Sequence, residues 1–177
     1  LESHPPIEQN GNTIRVGHIE DSSLRRNVSI SYELVVPVET RVTAGTGSGN
    51  QSVAGVRGPA RVETGSGNLK LIGVGDTVRA NTGSGDIEIE TARGSVYAET
   101  GSGNILAFDV SGGFVASTGS GNVKLRQAAS GSVSVETGSG DVEVSGAQGS
   151  MVLHTGSGNI TADGAPSGEW KLEAGSG

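Results

Sequence analysis

Asn and Asp recur at one place in this chain, directly after a Gly-Ser-Gly triplet. Asn stands at 50, 68, 104, 122 and 159, and Asp at 86 and 141. Oxygen donors at regular spacing raise the question of calcium, which takes several carboxylates or ordered carbonyls. The nonapeptide calcium-binding β-roll, GGxGxDxUx, also gives 18 residues per coil. Its Asp lies two residues after the second Gly, whereas the polar residue here follows that Gly directly. Asp86 and Asp141 are therefore the weak metal candidates. The plainer expectation is a side-chain oxygen accepting a hydrogen bond from turn backbone, which Asn and Asp do equally well.

Other chemistry finds less support. The outward acids Glu63, Glu99, Glu136 and Glu173 share one slot, mostly in every second repeat. That puts neighbours about 9.6 Å apart, two strand spacings, and they read as solvated face residues. His4, His18 and His154 share no ligand spacing. A phosphate loop needs GxxxxGK[ST] between a strand and a helix, and neither is present. No cysteine occurs, which removes disulfides and thiolate metal sites. Net charge is -7 with no basic run, which argues against nucleic acid as a partner. The opening LESHPPIEQNGN has no apolar core of a signal peptide. The expectation is a protein that is not an enzyme and uses no cofactor.

The elements that position these residues follow from the repeat. TGSG begins at Thr46, Thr64, Thr82, Thr100, Thr118, Thr137 and Thr155, with AGSG at Ala174, at spacings of 18 or 19 residues. A fixed short period is the signature of a solenoid. In residues 82–99, TGSGDIEIETARGSVYAE, Ile87 and Ile89 flank Glu88, and Val96 and Ala98 flank Tyr97. Such alternation between glycines marks strands with one buried face.

The same inward pairs recur from Leu69/Leu71 to Ile160/Ala162 and from Ala60/Val62 to Trp170/Leu172. A further small apolar residue sits at a second corner: Val56, Val74, Ala92, Val110, Ala128, Ala147 and Ala165. Because identical corners return every coil, a parallel stack fits better than an antiparallel meander. The expected fold is all-β: a parallel β-solenoid of about seven 18-residue coils, two short strands each, right-handed by the crossover preference.

On this reading TGSG is a structural corner. Its glycines (Gly47, Gly49, Gly65, Gly67, Gly83, Gly85, Gly101, Gly103, Gly119, Gly121, Gly138, Gly140, Gly156 and Gly158) let the chain reverse within four residues. Stacked corners would expose ladders of Thr, Ser and Asn. The extra residues of the 19-residue repeats fall at the second corner, in AASGS (128–132) and APSGE (165–169).

One domain is expected, with irregular N-terminal strands over 1–37 continuous with a solenoid over 38–177. Ile14–Val16 and Val28–Val36 read as strands in the first part. The repeat ends at Ala174–Gly177 where another coil would begin, so self-association through that coil edge is one expectation. A second is a contact patch at Leu106 and Phe108, two apolar side chains turned outward where other coils carry charge.

The TGSG[ND] repeat, with the lead-in VSISYELVVP (Val28–Pro37), resembles a bacterial family of β-solenoid envelope proteins labelled adhesins, a domain-of-unknown-function group. The likeness covers about residues 10–177. It implies an extracytoplasmic display or adhesive module whose partner is a surface protein or glycan, and it transfers no site residues. A calcium- or glycan-binding module on the same scaffold is the alternative.

Overall fold

The computed structural model describes residues 7–10, 13–17 and 31–177. Two compact units divide the chain, Leu1–Val35 and Val36–Gly177. In the first, Ile7–Asn10 pairs antiparallel with Thr13–Val16. The strand expected at Ile14–Val16 is present. Of the strand expected over Val28–Val36, residues 31–36 are described; they carry no strand, and Tyr32, Leu34 and Val35 are exposed. Alternating apolar residues favour a strand only when a neighbouring edge supplies hydrogen bonds, and residues 31–36 pair with no strand among the described residues. Val28–Ile30, His4 and His18 lie outside the described residues.

The second unit is the expected parallel β-solenoid. Long strands, such as Val78–Ser84 and Val96–Ser102, build an eight-stranded sheet, and shorter ones, such as Ile87–Ala92 and Ile105–Val110, a seven-stranded sheet. Each strand pairs in parallel with its counterpart one coil away, so like residues align: Thr82 with Thr64 and Thr100, Ile87 with Leu69 and Ile105. The first long strand is Val42–Ser48, with Val42 and Ala44 half-buried in the slots the pattern assigns them.

The core lies between the sheets. Leu69, Leu71, Ile87, Ile89, Ile105, Leu125, Met151 and Leu153 are buried, and Phe114, the largest of the core side chains, sits between Val96 and Val133 of the flanking coils. Burying a side chain of this size contributes about 1.5–3 kcal/mol. The stack therefore rests on a continuous apolar column, with each coil contributing a few residues that could not shield one another alone.

The small apolar residue of the second corner turns inward in five coils and outward in two. Val56, Val74, Ala92, Val110 and Ala147 are buried, but Ala128 and Ala165 are exposed. In most coils a residue with positive φ bulges the short strand just before this position: Gly55 (68°), Gly73 (66°), Thr91 (58°), Asp109 (55°) and Gly146 (71°). The strand Val123–Gln127 lacks that residue. Its alternation runs straight on, and Gln127 aligns with Val110 in place of Ala128. The Gln127 Nε2 donates to the carbonyls of Gly112 and Gly131, both at 3.2 Å, while its buried Oε1 has no partner.

Candidate functional site

The TGSG segment is built differently from a four-residue reversal. The long strand continues through Thr, Gly and Ser, and the chain turns only at the second Gly and the Asn or Asp after it. Strand alternation then carries the threonine side chain inward. Thr82, Thr100, Thr118, Thr137 and Thr155 are all at most 2% exposed. The exposed threonine ladder expected from the sequence is an internal one.

Each buried hydroxyl has the same task. Thr82 donates to the Gly67 carbonyl at 3.0 Å, Thr100 to Gly85 at 3.0 Å, Thr118 to Gly103 at 3.1 Å and Thr155 to Gly140 at 3.0 Å. A buried hydroxyl without a partner would be costly, and here it satisfies the turn of the preceding coil. The glycines permit this close stacking. A Cβ on Gly83 would come within 2.6 Å of the Gly65 carbonyl oxygen. Gly85 adds a φ of 150°, which L side chains rarely adopt.

The Asn/Asp position forms a second ladder, on the outside. Asn50 Oδ1 accepts from the Asn68 N–H at 2.9 Å, Asn68 from Asp86 at 2.9 Å, Asp86 from Asn104 at 2.8 Å, and Asp141 from Asn159 at 2.8 Å. Only an acceptor oxygen is required, which is why the two residue types interchange. The donor is turn backbone, as expected, and the bonded N–H belongs to the turn of the next coil. Asp86 and Asp141 are separated by Asn104 and Asn122, three coil spacings or about 14 Å. Among the described residues no group of three or more His, Asp or Glu is placed to hold a metal ion.

The outward faces carry the remaining polar groups. On the eight-stranded sheet Glu63, Asn81, Glu99, Ser117, Glu136, His154 and Glu173 align in one column, so the acids alternate with uncharged partners or histidine. Asn81 donates to Glu99 at 3.3 Å, and His154 Nδ1 lies 3.8 Å from Glu173. Lys171, 3.0 Å away, holds the Glu173 carboxyl below the usual carboxylate range. In the neighbouring column Tyr97, Val115 and Val152 are exposed, as their outward slots require, and the Arg79 guanidinium lies 4.3 Å from the Tyr97 ring centre.

On the seven-stranded sheet Lys70 bonds Glu88 at 2.9 Å and lies 3.6 Å from Glu90. The Lys70 hydrogen bond lowers the Glu88 carboxyl, and the same bond raises Lys70. Leu106 and Phe108 are half-buried. Leu106 sits between Glu88 and Lys124, and Arg126 lies over the Phe108 ring at 5.6 Å.

No curated protein and no solved structure matches the chain. The family model of Toastrack DUF4097, a domain of unknown function, matches residues 9–177, and the chain belongs to that family.

Proposed function

We propose that this domain is a non-enzymatic display module of the bacterial cell envelope, acting outside the cytoplasm as an adhesive or structural ladder. The observation that carries the reading is the strict register of its outward columns. The exposed Ser102, Ser120 and Ser139 repeat at each strand spacing of about 4.8 Å, and the acids Glu99 and Glu136 at alternate spacings. Such a surface suits a partner that repeats as well, a glycan polymer or a patterned surface protein. Each contact is weak, and many together give useful affinity.

Two further points support it. The buried threonine hydroxyls and the Asn/Asp oxygens are engaged in joining coils, which leaves them poorly available as nucleophiles or ligands. The resemblance of the repeat and its lead-in to envelope β-solenoids supports the location.

Labelled domain applied to a glycan array and to isolated bacterial envelopes tests the reading. Binding to one repeating polymer, weakened in a Glu99→Ala, Glu136→Ala variant, is expected. No binding to either, or turnover of a bound polymer, overturns it. Calcium-dependent binding would move the assignment to a metal-assisted module using Asp86 and Asp141.

A further inference from the structure

The outer face of the seven-stranded sheet has an order that neither the repeat nor the core requires. In stacking sequence one column reads Lys70, Glu88, Leu106, Lys124, Glu143. Beside it run Glu90, Phe108 and Arg126. Both columns are antisymmetric in charge about the coil that holds Leu106 and Phe108. One step away Glu88 mirrors Lys124 and Glu90 mirrors Arg126. Two steps away Lys70 mirrors Glu143.

We propose that this face is the interface of a symmetric dimer in which the partner is a second copy of this chain. The two-fold axis runs parallel to the strands, over the strand Ile105–Val110. The partner's strands then run the same way while its coils stack in the opposite order. Leu106 meets its own counterpart, as does Phe108, so the two half-buried apolar side chains form the centre of an isologous contact. Around them Glu88 faces Lys124 of the other copy, Lys70 faces Glu143, and Glu90 faces Arg126.

The pairs already present within one chain fit this arrangement. Lys70 bonds Glu88, and Lys124 lies 2.8 Å from Glu143. Laid against each other in reverse order, the two pairs make a square of alternating charge on each side of the axis. Each of these four charges then gains a second opposite neighbour and loses none. Isolated exposed pairs contribute little, but complementarity of this kind fixes register and excludes wrong partners.

The alternatives are disfavoured by the same residues. A two-fold axis along the stack would set Glu88 against Glu90 and Lys124 against Arg126. The reversing operation applied to the eight-stranded face would bring Glu99 onto Glu136, Glu63 onto Glu173 and Arg61 onto Lys171. Of these arrangements, only the reversed one on the seven-stranded face joins opposite charges along both columns; Asp109, on the axis strand, meets its own counterpart there and is neutralised by Arg126 at 2.8 Å. Strands of four to six residues, about 18 Å long on average, across seven spacings of about 4.8 Å give roughly 600 Å² per copy. The total, about 1,200 Å², lies at the lower end of specific interfaces, so a reversible dimer is expected. This inference concerns a face other than the proposed display column and stands or falls separately from it.

Sedimentation equilibrium of the whole chain from about 1 μM to about 1 mM should show a monomer–dimer equilibrium that weakens with salt. Glu88→Lys alone and Lys124→Glu alone should each be monomeric, because each sets like charges together twice. Mixed, the two variants should form a one-to-one heterodimer, since every like-charge contact across the interface is then replaced by an opposite one. That rescue also shows that both variants are folded. The chain has no cysteine, so Leu106→Cys should oxidise to a symmetric disulfide dimer, whereas Ser52→Cys should cross-link only to Thr161→Cys. A wild-type monomer throughout the range, dimerisation of either charge variant alone, or a mixture that stays monomeric overturns the proposal.

Discussion

Thr82 donates its hydroxyl to the carbonyl oxygen of Gly67 at 3.0 Å, from a position only 1% exposed. The bond joins the end of one coil to the turn of the coil before it, and it repeats along the stack. It explains why the repeat specifies Thr where the core pattern alone would accept Val.

Thr100→Val therefore tests the internal ladder. The shape is preserved, but the carbonyl of half-buried Gly85 loses its 3.0 Å donor. Leaving such a group unsatisfied costs about 1–3 kcal/mol. A lower denaturant midpoint at unchanged slope is expected, and Thr100→Ser, which keeps the donor, should lose less.

Thr91 holds a φ of 58° at the bulge where Gly73 and Gly146 stand in other coils. A β-branched residue is strained there. Thr91→Gly should raise stability by about 1 kcal/mol, the relieved left-handed strain outweighing the greater freedom of glycine in the unfolded chain. Thermal melting checks the sign, and a fall in midpoint would contradict the bulge geometry.

Acid should weaken the Lys70–Glu88 pair. The folded Glu88 carboxyl is held low by its bond to Lys70. Its contribution is thus complete above the ordinary carboxylate range and is lost as pH falls through the lowered folded value. At the alkaline end the raised Lys70 loses the same pair as pH rises through its folded value. Both side chains are substantially exposed, so the effect is small and shrinks in salt. Lys70→Met should flatten the acid limb of a low-salt melting profile.

Asp86 and Asp141 each use Oδ1 within the outer ladder and stand too far apart to share an ion. The melting temperature should be the same in calcium and in EDTA. A rise with calcium, saturating with concentration, would show a site.

Most of the fold was legible because burial enforces alternation: Ile87, Ile89, Val96 and Ala98 lie where their spacing put them. The threonine ladder was not. Glycines on one side of Thr and polar residues on the other made TGSG resemble a loop, and nothing local showed that the strand ran on to Ser. A signal was nonetheless present, since Thr82 continues the inward period of Val78 and Ala80. Gln127 was missed for a related reason. Its slot depends on a bulge at Asp109 that the next coil lacks, and a bulge is set by backbone angles. Residues 31–36 show the converse failure, a strand-like pattern with no partner edge among the described residues.

The repeated bond from each threonine to the preceding glycine also bears on how such a gene can change. Every internal junction presents the same donor, acceptor and glycine contacts, so duplicating residues 82–99 in frame would add a rung that both neighbours already accept. Length can vary in whole units at little structural cost. A rung added beyond the charged block on the seven-stranded face would leave its mirror order intact, while one inserted between Lys70 and Glu143 would put it out of step. Natural variation in coil number should then concentrate toward the ends of the stack.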